Sequence, residues 1–260
     1  MAGARIRRVV TRRANLRYDF PRDFAQRLEG QLVQRVIRRA KYLLAEVGSG
    51  DVLLMHLGMS GSFRVVHRNT RENVPHEDRY DLHDHVIFEM STGTIVVFND
   101  PRRFGFMTLL AAGEADTHAT LGRLGPEPLG VRFDVPALAK ELRQRRTTLK
   151  IALLDQRVMA GLGNIYVCEA LHRARLSPQR RAATLTTRAG EPRPALDLLV
   201  RAIREVLKEA IRNQNRPGGD DRFRVYDREG RRCPRRGCAG TIKRIVQGGR
   251  STFYCAVCQR

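Results

Sequence analysis

Four of the chain's five cysteines stand in its last 28 residues, as Cys233-x4-Cys238 and, after sixteen residues, Cys255-x2-Cys258. No other feature restricts the fold as tightly. Two short knuckles at this separation bring four thiolates together at the tips of a β-hairpin, where one tetrahedral zinc ion, structural in role, satisfies all four. The opening run MAGARIRRVVTRR is basic and lacks the apolar stretch of an export signal. The thiols are therefore expected to be reduced, which favours zinc over disulfides. Cys168 stands apart in an apolar helical stretch and reads as a small buried residue.

Charge narrows the partner. Lys and Arg number 48 against 27 Asp and Glu, a net charge of +21 spread along 260 residues. Such an excess favours nucleic acid or an anionic membrane surface. No apolar run approaches the roughly 18 residues of a spanning helix. The C-terminal segment adds its own arginines, Arg231, Arg232, Arg235, Arg236, Arg244 and Arg250.

The predicted fold class is α+β. Residues 4–13 read as a strand start with a basic outer face. Residues 41–47 and 51–57, separated by Gly-Ser-Gly, predict a hairpin, and 62–66, 85–90 and 94–98 continue the pattern around a Thr92-Gly93 turn. Residues 1–112 thus predict an antiparallel β-sandwich or barrel. A Gly/Pro-bearing connector spans 113–133, and a helical period takes over across 134–221. It is clearest where Leu196, Leu199, Val200, Ile203, Val206, Leu207 and Ile211 recur at steps of three and four behind Pro194. A Gly/Asp-rich linker at 217–221 precedes the zinc-finger β-hairpin of 222–260.

Several short stretches carry candidate chemistry. Gly161-Leu-Gly-Asn164 predicts a tight turn between helices. Asn164 at a helix N-terminus reads equally as a phosphate contact or an ordinary N-cap. Asp100-Pro-Arg-Arg-Phe-Gly105 follows a strand. Its Arg102, Arg103 and Phe104 suit a wedge into a duplex, or a solvated turn with Phe104 tucked into the core. Met59, between Gly58 and Gly61, is a second apolar loop residue or a core methionine. His83 and His85 flank Asp84 on one strand face, suiting phosphate contact or packing better than a metal, since no third ligand is apparent. Lys41, at the edge of an apolar strand, is a partly desolvated acid–base candidate or a plain solvated lysine.

In chain order, RRAKYLL (38–44), HLGMSG (56–61), HDH (83–85), DPRRFG (100–105), LGPEPL (124–129), GLGNIY (161–166) and GGRSTFYCAVCQR (248–260) resemble the formamidopyrimidine-DNA glycosylase family. Endonuclease VIII-type relatives share the architecture, but HLGMSG and DPRRFG look more like the formamidopyrimidine branch. The resemblance implies an N-terminal β-sandwich, a helix–two-turns–helix domain and a zinc finger. It also implies a monomer on double-stranded damaged DNA, in a bacterial-type cytoplasm and nucleoid-associated. The implied activity is excision of oxidised purines (8-oxoguanine and formamidopyrimidines) with strand cleavage by β- and δ-elimination. Met59, Arg102 and Phe104 match residues that fill the vacated stack. Lys41 matches a lysine of proton transfer in β-elimination, and Arg250 a phosphate-binding arginine that assists δ-elimination. His83, Arg102, Arg145, Asn164 and Lys150 match DNA contacts.

The chain departs from the family pattern in three places. The family nucleophile is an N-terminal proline followed by glutamate. Here the sequence opens Met1-Ala2-Gly3-Ala4-Arg5, and GARI resembles an internal stretch of the pattern. A start assigned too late, a truncated product and a natural non-catalytic, zinc-dependent damaged-DNA-binding protein are the competing explanations. The expectation for these 260 residues is little or no glycosylase or lyase activity. Residues 213–226 are shorter than the family's segment, which puts recognition of oxoguanine in doubt more than backbone binding. The first cysteine knuckle, C-x4-C, is longer than the commoner C-x2-C. A ribosome- or RNA-associated zinc ribbon fits charge and zinc but leaves HLGMSG and DPRRFG unexplained.

Overall fold

Alternating apolar residues in the first part of the chain build two four-stranded antiparallel sheets. A computed structural model describes residues 1–67, 80–213 and 223–260. It divides into two compact units, residues 1–122 and 123–260. In the first unit β1 (Ile6–Thr11), β6 (Asp84–Met90), β7 (Thr94–Asn99) and β5 (Ser62–His67) form one sheet in that order. The other runs β2 (Val33–Arg39), β3 (Tyr42–Val47), β4 (Val52–His56), β8 (Phe106–Leu110). Ile6, Val9, Phe88, Val96 and Phe98 from the first sheet meet Val33, Ala45, Leu53, Met55 and Met107 from the second in one core. That shared core makes the pair a sandwich. Short helix α1 (Phe24–Leu28) buries Phe24 and Leu28 in it, and α2 (Glu114–Thr117) follows β8.

The predicted hairpin is β3–β4, with Tyr42 opposite His56 and Glu46 opposite Val52. Two strands went unread. β2 is a sheet edge whose Gln34–Arg38 are all exposed, so its alternation is hidden under arginine, which also guards an edge against further pairing. β8 is only five residues long and starts straight after a loop.

The second unit holds α3 (Val135–Leu142), α4 (Leu149–Leu154), α5 (Asn164–Arg173) and α6 (Pro194–Arg212), followed by the hairpin of β9 (Ile242–Gln247) and β10 (Arg250–Cys255). Pro194 opens α6 as predicted, and Leu196, Leu199, Val200, Ile203 and Val206 are buried. Full burial of each such aliphatic side chain contributes about 1.5–3 kcal/mol. Leu207 is only partly buried, and Ile211, counted in the apolar stripe, is exposed in the last turn. Helix α5 packs against α6 and also against β10. Cys168 is buried as expected, in a cluster with Val225, Ile242 and Phe253 that reaches the ribbon cysteines. The 217–221 linker, and the part of the 213–226 departure spanning 214–222, lie outside the described residues.

Candidate zinc centre and nucleic-acid interface

The four ribbon sulfurs lie within 4.8 Å of one another. Cys233 and Cys258 Sγ are 3.8 Å apart, and Cys238 and Cys255 Sγ 3.6 Å. A tetrahedron with Zn–S bonds of about 2.3 Å has edges near ~3.8 Å, the spacing of these two pairs, so the four donors suit one zinc ion. Four thiolates fill the coordination shell, and the ion is structural. The cysteines sit at the open end of the hairpin, where Cys255 pairs with Ile242. They are not at its tip as expected, because the knuckles flank the strands and glycines make the turn. His172 Nε2 stands 3.4 Å from Cys233 Sγ, placed to donate to a thiolate. Burial, with Arg235, Arg224 and Arg173 nearby, pushes its pKa down to about 4, so the ring is neutral.

The other end of the hairpin gathers three predicted DNA-site residues. Gly248 and Gly249 have φ of 56° and 70°, and Gln247 pairs with Arg250, a two-residue turn that needs left-handed backbone at both positions. Arg250 is exposed beside it. The next carbonyl, of Ser251, accepts from Asn164 Nδ2 at 2.9 Å and from Lys150 Nζ at 3.2 Å. Lys150 Nζ also donates to Thr252 Oγ1 at 2.5 Å. Lys150 is fully buried, and burial lowers its pKa from the ordinary lysine value, with Arg250 adding to the effect. Asn164 is the first helical residue of α5; the N-cap is Gly163, and no side chain caps this end. The N-cap reading therefore does not hold, while the amide does face the ribbon. Arg145 donates through Nε to the Glu141 carbonyl at 3.0 Å and through Nη1 to Asp155 Oδ2 at 2.8 Å. Arg157, with Arg145 adding, holds the Asp155 carboxyl at about 2 against the opposing effect of burial.

In the sandwich, HLGMSG and DPRRFG are one interlocked structure. Asp100 is fully buried at its centre. Its carboxylate accepts from Ser60 Oγ at 2.5 Å and from the Gly105 amide at 2.8 Å. Its own amide donates to the His83 carbonyl, and its carbonyl lies 3.0 Å from His85 Nε2. Gly58 has φ +66°, and a Cβ there would overlap the Phe104 carbonyl carbon. With the backbones locked, the tips project: Met59 is 71% exposed and Phe104 41%, with the Arg102 guanidinium 4.8 Å above the Phe104 ring. Arg103 is also exposed, at a strained φ of 54°. Neither Met59 nor Phe104 is the core residue that the plainer readings allowed.

His83 precedes the strand, half-buried, while His85 lies within it, buried, with ring centroids 6.4 Å apart. Burial lowers the His85 pKa, and among the described residues no third donor joins the pair. Lys41 is exposed, in the two-residue turn that follows Arg39, so the desolvation expected of it is absent. Ala40 beside it takes a strained φ of 55°. Facing Tyr42 in register is His56, stacked at 14° on Phe106 and accepting from the Gly58 amide through Nδ1. Burial, then Lys41 and Arg17, lower its pKa, leaving a neutral ring with its proton on Nε2. Asp100, Ser60, His56 and Thr252 were not singled out in the sequence. The one available signal was the glycine and aspartate content of the two loops.

The ribbon's four-thiolate centre, with the α4–turns–α5 geometry, places the chain in the class of helix–two-turns–helix proteins with a C-terminal zinc finger. Three family signatures match in order. They are "Formamidopyrimidine-DNA glycosylase N-terminal domain" over residues 1–107, "Formamidopyrimidine-DNA glycosylase H2TH domain" over 124–218 and "Zinc finger found in FPG and IleRS" over 230–260. The formamidopyrimidine-DNA glycosylase of Bradyrhizobium sp. (strain ORS 278) is 55% identical over 277 residues, covering 100% of this chain and 94% of that protein. That of Rhodopseudomonas palustris (strain TIE-1) is 54% identical at the same coverage. Among solved structures, Lactococcus lactis formamidopyrimidine-DNA glycosylase bound to DNA containing an AP site superposes with a TM-score of 0.82. It is 28% identical, over 100% of this chain and 94% of that one. The MutM (Fpg) protein of Thermus thermophilus gives 0.78 at 37% identity, over 100% and 92%. The chain belongs to the formamidopyrimidine-DNA glycosylase family. No helix among its described residues is long and apolar enough to cross a membrane.

Proposed function

We propose that the chain is a base-excision repair protein, a DNA glycosylase with apurinic/apyrimidinic lyase activity directed at oxidised purines. The observation that carries this reading is the pair of interlocked loops that presents Met59, Arg102 and Phe104 outward from a rigid sandwich. An apolar tip, a cation and an aromatic held in this way are equipped to replace a base flipped from the stack, which costs a few kcal/mol and least for a damaged base. Similar structures include MutM in complex with carbocyclic 8-oxo-G containing DNA and Lactococcus lactis Fpg with Fapy-dG containing DNA, which favours the same ligands here.

Lys41 takes the proton-transfer role in β-elimination, and Arg250 holds phosphate and assists δ-elimination. His83, Arg103, Arg145 and Asn164 contact the duplex, and Arg145 shares its guanidinium with Asp155 when it does so. Residues 1–112 read as the catalytic-type sandwich, 113–133 as a connector, 134–221 as the helix–two-turns–helix domain and 222–260 as the finger. The protein acts as a monomer in the bacterial cytoplasm, on the nucleoid.

A second reading, a zinc-dependent binder of damaged DNA without catalysis, draws on the four-thiolate centre and on Lys41, the proton-transfer candidate, being exposed rather than desolvated. Borohydride trapping on an abasic duplex separates the readings. The expected outcome for the lyase is a covalent adduct, whose amine peptide mapping then identifies. Retained binding without an adduct supports the binder.

A further inference from the structure

We propose that Lys150 is a positioning residue for Arg250: with Asn164 it clamps the Ser251–Thr252 backbone and so holds the exposed Arg250 guanidinium where it meets a phosphate. This rests on the reading of Arg250 as a phosphate contact.

The family resemblance put Lys150 itself among the DNA contacts, but its surroundings assign it other work. It has no exposed surface, and its ammonium already donates to Thr252 Oγ1 and the Ser251 carbonyl. Reaching a phosphate means breaking both bonds. A carbonyl oxygen has two lone pairs, and that of Ser251 spends both, one on Lys150 from α4 and one on Asn164 from α5. The peptide between Ser251 and Thr252 is thus fixed from two helices.

Arg250 is joined to that peptide through Ser251. On its other side lies the Gly248-Gly249 turn, the most permissive backbone in the ribbon. Orientation of Arg250 therefore comes from the clamped side. Other arginines of this unit are tied to carboxylates: Arg145 and Arg157 to Asp155, Arg173 to Glu205 and Glu209. Among the described residues Arg250 has no such partner, so its charge is available to a ligand. A buried lysine holding a free arginine at a glycine turn provides a preorganised phosphate contact.

The test uses the zinc-loaded 260-residue chain and an abasic-site duplex, with affinity measured by fluorescence anisotropy across a potassium chloride series. Arg250→Ala is expected to weaken binding on the order of tenfold and to make the log–log salt slope shallower by about 0.9. Lys150→Met and Thr252→Val should each reproduce much of that loss, and neither should add to it when combined with Arg250→Ala. Thr252→Val is the more telling variant. It deletes no charge and no exposed group, keeps the side chain's shape, and serves if Lys150→Met fails to retain zinc. Wild-type binding by Thr252→Val beside a weakened Arg250→Ala overturns the inference. So does a Lys150→Met loss that is fully additive with Arg250→Ala, since Lys150 is then a phosphate contact in its own right. Wild-type binding by Arg250→Ala overturns the reading of Arg250, and the inference with it.

Discussion

Replacing Cys255 and Cys258 together by serine is expected to abolish zinc binding, unfold residues 230–260 and remove high-affinity duplex binding while leaving the helices folded. Hydrogen bonds tie the ribbon to the helices, among them Gln259 to the Leu176 carbonyl and Arg235 to that of His172, but its own interior is small. Its apolar core amounts to Val225, Ile242 and Phe253 with Cys168 lent by α5. Zinc on four thiolates supplies about 10–16 kcal/mol of apparent folding free energy in small modules of this kind, far more than three side chains contribute. The helical cluster has its own core from Phe133 to Val206 and needs none of the cysteines. Once the ribbon unfolds, the Ser251 carbonyl leaves Asn164 and Lys150, and Arg250 loses its orientation. Amide exchange with metal analysis checks this. Protection should vanish over 242–255 and persist in α6, and one retained zinc per chain in the double variant would contradict the four-thiolate centre.

Gly58→Ala should part the two sandwich loops, at a cost of about 3–5 kcal/mol to that unit, and weaken preference for a damaged duplex at least as strongly as loss of any one tip residue. Two effects add. A left-handed φ of +66° costs an alanine roughly 1–2 kcal/mol. The new Cβ also runs into the Phe104 carbonyl carbon and stands 2.5 Å from the Gly105 nitrogen, backbone atoms that cannot rotate aside. Relief requires the 100–105 loop to move, which breaks the Ser60–Asp100 and Gly105–Asp100 bonds. Gly93→Ala isolates the first effect, because Gly93 has φ +79° and nothing within 4 Å of its Cβ position. Denaturant unfolding of both variants gives the comparison. Equal losses would mean that the contact between the loops is not a constraint.

The zinc centre could be read in advance because its signal is local. Ligand spacing survives any uncertainty in the fold, although the hairpin end that carries the ligands was misjudged. The β3–β4 hairpin and α6 were legible for the same reason, since each announces itself by a period and a turn. The hub at Asp100 was not. Its partners Ser60, His83, His85 and Gly105 come together only through the pairing of β5, β6 and β7, which no short window contains. Lys150 shows a related failure. The resemblance gave it only as a contact near the lesion, whereas its burial and its bonds to Ser251 and Thr252 depend on how α4 meets β10, which no short window contains. Edge strand β2 was hidden by its arginines.

The most direct test of this account is the affinity of the zinc-loaded chain for an abasic or oxoguanine duplex against an undamaged duplex of the same sequence, measured over a range of salt. The account predicts tighter binding to the damaged duplex. It also predicts a steep salt dependence, with a slope of about −0.9 for each phosphate neutralised. Equal affinity for both duplexes, or a flat salt response, would contradict it.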